Sequence, residues 1–275
     1  MAFVSTMDPL TGFMSPVGNQ TLGKDLSASY NEALPFPHIV IDEFLPHQVL
    51  DLFLAHFNTI APNEDAITFN RAQERFKTSY QPDGLNDDLR RIFYSFNSKP
   101  FIKLLENITD IKGLIPDPYF IGAGIHEIKQ GGHLSVHADF NHHVLMNLER
   151  RINVLIYLNK DWKREYGGGL ELWDHGMTNL AHDIVPLFNR CVIFNTTSNS
   201  QHGNPQPINH PAGVSRKSIA LYYYTSTWDK SKHSHTTQFQ VRPGSTDKFD
   251  WRVKIGELNE ELVPPILARR LRRLF

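Results

Sequence analysis

The sequence predicts a mainly β fold with flanking helices (α+β), a double-stranded β-helix or jelly roll backed by N-terminal helices. Three observations carry this expectation. Apart from the C-terminal tail, helical apolar stripes fall in the stretch before residue 110. From Tyr119 onward the period changes to short β-rich runs separated by Gly, Asn and Pro. A chain of 275 residues can bury one sizeable core, and many short strands after a helical block fit a roll covered by helices.

Residues 1–34 are rich in Gly, Ser, Asn and Thr without a sustained period, so they are expected as a loose N-terminal arm with no core role. Pro37-His-Ile-Val-Ile41 reads as a short strand. Pro46 then opens a helix with Val49, Leu50, Phe53, Leu54 and Phe57 on one stripe. Asn86 is the expected cap of a second helix, with Leu89, Ile92, Phe93 and Phe96 on its apolar face. A third follows Ser98, with Pro100 in its first turn and Phe101, Leu104, Leu105 and Ile108 repeating the spacing. The polar segment 61–85 is long and weakly periodic, which suits either a lid over a site or a plain surface loop. Strands are expected over 119–129, 133–139, 151–159, 169–174, 182–187, 190–195 and 216–227, giving a core domain over 35–228. Beyond it, 229–275 is an extension that starts as a solvated turn, Asp229 to His235. It ends in a basic amphipathic helix with Leu267, Leu271 and Leu274 on one face and Arg269, Arg270, Arg272 and Arg273 around the rest.

A net charge of -1 supplies no global field for a polyanion, so nucleic acid is not an expected partner outside the basic C-terminal patch. That patch suits packing on the domain or on a second subunit, with an RNA or anionic surface as the alternative. The single cysteine, Cys191, cannot form an internal disulfide and reads as a buried strand residue of a reducing compartment. With no basic n-region and no apolar run long enough to span a bilayer, a cytoplasmic protein without a membrane segment is expected.

The chemistry concentrates in Leu134-Ser-Val-His-Ala-Asp-Phe-Asn141. Residues two apart on a strand share a face, so His137 and Asp139 can grip one ion while Ala138 points away. With His202 downstream they make two imidazoles and a carboxylate, a set that leaves coordination positions open for a co-substrate and oxygen at a non-haem iron(II). In the strand from Ser215 to Tyr224, Arg216, Ser218, Ala220, Tyr222 and Tyr224 share one face and Lys217 takes the other, which makes Arg216 the inward cation able to fork onto a carboxylate. In the run from Arg151 to Leu158, the apolar set Ile152, Val154, Ile156 and Leu158 faces the helices, so Asn153, Leu155 and Tyr157 point inward.

The ordered series His137-x-Asp139, Ile156-Tyr-Leu-Asn-Lys-Asp-Trp162, Gly167-Gly-Gly-Leu-Glu-Leu172, Pro186-x-x-Asn-Arg190, Val192-Ile-Phe194, His202 and the Arg216 strand resembles the 2-oxoglutarate and Fe(II)-dependent dioxygenases, within them the prolyl-4-hydroxylase-like branch. The resemblance spans roughly residues 36 to 228. It implies that His137, Asp139 and His202 are the iron ligands and catalytic residues, that Arg216 anchors the far carboxylate of 2-oxoglutarate, and that Tyr157 and Ser218 assist it. Fe(II), 2-oxoglutarate and O2 are the implied cofactor and co-substrates, with ascorbate as reductant. The implied reaction hydroxylates an unactivated C–H bond and releases succinate and CO2. Retention of a carboxylate at Asp139 points away from halogenation. One departure is His126, which stands in the strand Gly124-Ile-His-Glu-Ile-Lys129 where many relatives carry a tyrosine.

The branch suggests a prolyl or other residue of a protein as substrate. A free amino acid or natural-product small molecule is the alternative, enclosed by 61–85 or 229–245 rather than seated in an open groove. A third reading is a non-catalytic jelly-roll module holding a structural metal, against which the absence of a fourth ligand and the presence of Arg216 and Tyr157 both argue. A homo-oligomer through the C-terminal helix completes the set of expected partners.

Overall fold

Period-two alternation divides each long strand into a set that meets the helices and a set that faces the interior of the roll. The computed structural model describes residues 1–18, 20–57, 66–229 and 231–247. Its helices are α1 (Ser27–Asn31), α2 (His47–Phe57), α3 (Asp87–Phe96) and α4 (Lys99–Thr109). Its strands are β1 (His38–Ile41), β2 (Ile67–Phe69), β3 (Glu74–Tyr80), β4 (Ile115–Pro116), β5 (Gly124–Ala138), β6 (His142–His143), β7 (Leu148–Tyr157), β8 (Leu170–Trp173), β9 (Leu180–Ile184), β10 (Cys191–Asn195), β11 (His202–Asn204), β12 (Arg216–Thr225) and β13 (Gln238–Phe239). The expected jelly roll with helical backing is what forms.

The strand order β1-β10-β7-β12-β5-β11-β8-β9 runs through one curled antiparallel sheet. β5 joins its two halves. Residues 124–128 pair with β12, whereas 134–137 pair with β11. Ile152, Val154, Ile156, Ile193, Ile219 and Leu221 pack against Phe53, Phe93, Phe101 and Leu104 of the helices, and Val192, Phe194, Leu170 and Leu172 fill the inside. Cys191 is buried and unpaired on the helix-facing side. The helices begin as their sequences dictate: Asn86 accepts from Leu89 N at 3.0 Å, and Pro100 occupies the first turn of α4. No helix among the described residues is long and apolar enough to cross a membrane.

Two expectations are corrected here. Residues 1–34 are not free of the core: Val4, Met7, Met14 and Tyr30 are buried in the main cluster, Val4 N donates to Phe44 O, and Asn107 donates to Gln20 O and Leu22 O. Burying these four side chains offsets the ordering of an irregular backbone that shows no period. Beyond the stretch Asp229 to His235, expected as a solvated turn, β13 pairs with β5 at Ala138 and His137. The segment 66–85 contains the hairpin β2–β3, whose second strand adds to β5, so it is sheet rather than loop. The expected basic helix, with Leu267, Leu271, Leu274 and the arginines between them, lies outside the described residues.

Asn189 ties the sheet to α2. It is fully buried with φ 63°, accepts from Leu45 N at 2.8 Å and donates to Leu45 O at 2.7 Å. An Asn189→Ala change leaves two buried backbone groups unsatisfied and puts alanine in a left-handed conformation, and is expected to lower the urea-unfolding free energy by about 2–4 kcal/mol.

Candidate metal centre and its cavity

The triad is assembled by strand register. His202 of β11 stands directly opposite His137 of β5, and Asp139 follows two residues on, so all three side chains share one face. Gly203 makes the approach possible: a Cβ there would lie 2.8 Å from Ser135 O. The donor atoms of His137, Asp139 and His202 all lie within 4.8 Å of one another, and this is the only such cluster of three among the described residues. His137 Nε2 is 3.6 Å from Asp139 Oδ1, and His202 Nε2 is 3.4 Å from Oδ2.

The donor set fits a metal ion. His137 Nδ1 lies 2.8 Å from Ser135 O and His202 Nδ1 lies 2.9 Å from Ser200 O. A carbonyl only accepts, so each Nδ1 carries the proton and each Nε2 offers a lone pair. Burial holds His202 below the ordinary histidine range, which keeps it neutral and ready to ligate. Burial acts to raise the Asp139 carboxyl, but the Arg150 guanidinium outweighs it and holds the group well below the usual carboxylate range. Two imidazoles and one carboxylate leave positions for exogenous oxygen donors.

The triad opens into a cavity of about 230 Å³. Arg216 and Ser218 line it, as the alternation of β12 requires, while Lys217 turns away to Ser215 and lies over the Phe57 ring. Arg216 Nε donates to Gly168 O at 2.7 Å, leaving its terminal fork for a carboxylate. Gly168 has φ 70°, and a Cβ there would lie 2.9 Å from Arg216 Cδ. Tyr157 is buried behind the wall rather than lining it, with the Arg216 guanidinium 4.9 Å above its ring and its hydroxyl without a hydrogen-bond partner. An orphaned phenol beside a buried arginine matches a site for an oxygen-rich anion. His126 lines the cavity next to Ser218 and lies 2.9 Å from Gly122 O; burial first, then Lys77, lowers its pKa to about 3.

Sequence reasoning missed four contributors. Arg150 reaches the cavity and Asp139, because the β7–β12 register skips Arg151 and turns Arg150 inward. Asn204, two residues beyond His202, lines the cavity with a buried amide nitrogen that has no partner. Phe239 of β13 sits with its ring 5.3 Å from that of His137, and Thr237 of the same segment lines the cavity. This strap is pinned by Asn141, which bonds His233 O and His235 N, and by Arg242, which reaches Glu171 at 3.3 Å and stacks over Trp173. The hairpin supplies the opposite wall with Ile67, Phe69 and the Glu74–Lys77 ion pair.

Residues 123–224 match the model of the 2OG-Fe(II) oxygenase superfamily, a span that includes every strand carrying the triad, Arg216 and Tyr157. Solved structures of similar fold include a prolyl hydroxylase from Trichoplax adhaerens in complex with a hypoxia inducible factor peptide fragment, at TM-score 0.56 and 16% identity over 78% of this chain and 94% of that one. A prolyl 4-hydroxylase from Phytophthora capsici aligns at TM-score 0.54 and 16% identity over 88% and 73% of the two chains. The carbocyclase SnoK from nogalamycin biosynthesis does so at 0.53 and 14%, over 85% and 91%. At these identities the likeness is one of fold. A jelly roll, a His-Asp-His cluster on its inner face and a family match through the strands that build it lead to one conclusion: residues 123–224 form a 2OG-Fe(II) oxygenase domain, which makes the chain a 2-oxoglutarate- and Fe(II)-dependent dioxygenase.

Proposed function

We propose that this chain hydroxylates an unactivated C–H bond of a compact small molecule, with His137, Asp139 and His202 holding Fe(II) and Arg216, assisted by Ser218 and Tyr157, holding 2-oxoglutarate. The observation that carries the first half is the mutual approach of the three donor atoms on one face of two paired strands. Bound iron(II) with 2-oxoglutarate and O2 supplies the oxidising power for oxygen insertion, with release of succinate and CO2.

The chain's own residues do the rest. Ser135 O and Ser200 O fix the imidazole tautomers, so both Nε2 atoms stay deprotonated toward the ion. Arg216, desolvated and over the Tyr157 ring, gains an anionic partner when the co-substrate's far carboxylate arrives. Ser218, in register with Tyr157 on β7 and His126 on β5, adds a hydroxyl to the same floor. Phe239 lies against the His137 ring and would limit water beside a bound ion.

The two walls of the cavity favour a compact substrate. Both the hairpin and the strap wall the cavity, and an extended peptide needs a groove open across that hairpin. SnoK, a small-molecule biosynthetic enzyme, shares this fold. A prolyl or other protein residue is the second reading, favoured by the exposed Tyr119, Ile121, Val144 and Leu145 on the turns that carry cavity residues Gly122 and Phe140.

Succinate formation without prime substrate tests the centre directly. With Fe(II), ascorbate, 2-oxoglutarate and O2, slow turnover is expected in the wild type and none in His137→Ala. Arg216→Ala should raise the 2-oxoglutarate requirement at least about 30-fold, the equivalent of losing about 2 kcal/mol from a buried charge-assisted pair. Stimulation of succinate release by small molecules and not by proline-containing peptides supports the compact substrate; the reverse pattern overturns it. Gly168→Ala, whose Cβ crowds Arg216, is expected to raise the 2-oxoglutarate requirement while leaving Co(II) affinity unchanged, measured by titration.

A further inference from the structure

Arg150 is only 1% exposed and donates to Asp139 and to Asn153. Nη2 donates to Asp139 Oδ2 at 3.1 Å and to Asn153 Oδ1 at 2.7 Å, and Nε donates to Asn153 Oδ1 at 3.1 Å. Asn153 Nδ2 in turn donates to Asp139 Oδ2 at 2.7 Å. Both donors therefore converge on Oδ2, which also lies 3.4 Å from His202 Nε2, while Oδ1 faces the His137 ring nitrogen at 3.6 Å and accepts from neither donor. The guanidinium is clamped between aromatic faces, 3.6 Å from the Tyr222 centroid and 4.3 Å from that of Phe140. Tyr222 is itself held by its hydroxyl on Gly122 O.

A guanidinium buried this deeply is costly unless its partners are well placed, and an apolar residue would fill the same space without that cost. The clamp fixes the guanidinium in direction as well as position. Its one charged partner is the carboxylate of the triad, and its neutral partner is a second donor to the same oxygen.

We propose that Arg150 and Asn153 are positioning residues that reserve Asp139 Oδ2 for hydrogen bonding, so that the carboxylate offers the metal one oxygen and the coordination position it spares stays open for the co-substrate. The proposal rests on the reading of His137, Asp139 and His202 as the metal ligands. It also gives Phe140 and Tyr222 a double duty, since the residues that wall the substrate side of the cavity hold the guanidinium that orients the ligand.

Anaerobic titration of Co(II) into the metal-free chain, followed by visible d–d absorption before and after 2-oxoglutarate, tests this without turnover. Thermal unfolding of each variant is measured alongside. The wild type is expected to bind one Co(II), and His137→Ala to lose it. Arg150→Gln should bind about 10- to 100-fold more weakly, with an altered spectrum and a weakened response to 2-oxoglutarate. Asn153→Ala, which keeps the buried charge, should move in the same direction by a smaller factor. Arg150→Lys restores the charge without the fork and should recover affinity only in part. Wild-type affinity and spectrum in both Arg150→Gln and Asn153→Ala would show that the pair serves the fold alone and overturn the proposal. If Arg150→Gln does not fold, unchanged Co(II) binding by Asn153→Ala overturns it by itself. Failure of the wild type to bind Co(II) would instead remove the metal-centre reading, and the positioning role with it.

Discussion

The register of β5 against β11 is the constraint on which the site depends. His137 and His202 face each other across this pair, so a slip of one residue on either strand would send one imidazole to the opposite side of the sheet. Gly203 is the residue that lets the two backbones close to this distance, and the carbonyls of Ser135 and Ser200 then set which ring nitrogen points inward. Register is held in turn by the hydrophobic alternation of β7, β10 and β12 against the helices. The triad inherits its precision from side chains that lie outside it.

Charge is distributed around the cavity with the same economy. Asp139 and Arg150 neutralise one another, and the Glu74–Lys77 pair does so on the hairpin. Arg216 is the inward cation whose polar bonding goes to a backbone carbonyl rather than to an acid, which is the condition a dianionic co-substrate can satisfy. Its desolvation without a carboxylate is tolerable because Tyr157 offers an aromatic face and Gly168 a strong acceptor.

Much of this was legible in the residues. Period-two spacing places His137 with Asp139 and separates Arg216 from Lys217, because those strands are regular where it matters. Arg150 was not legible for a specific reason. Counting alternately back from Asn153 puts Arg151 inside, but the irregularity opposite Tyr223 and Tyr224 shifts the phase, and Arg151 bonds Thr225 instead. The strap escaped notice because Asp229 to His235 carries no strand pattern, and pairing of only Gln238 and Phe239 leaves too short a signal. Val4, Met7 and Met14 were overlooked because they are anchored by tertiary contact rather than by a period of their own.

The cavity walls differ from its floor in how they are attached. The triad, Arg216 and Tyr157 sit on or at the ends of β5, β7, β11 and β12, inside the sheet and braced on both sides. The hairpin and the strap are added from outside the main strand path, by pairing with β5. An exchange of sequence in either wall leaves the reaction chemistry where it is and changes only what can enter. Such an architecture separates inheritance of the reaction from inheritance of the substrate, so specificity can drift in descendants of this chain while the oxidising centre is passed on intact.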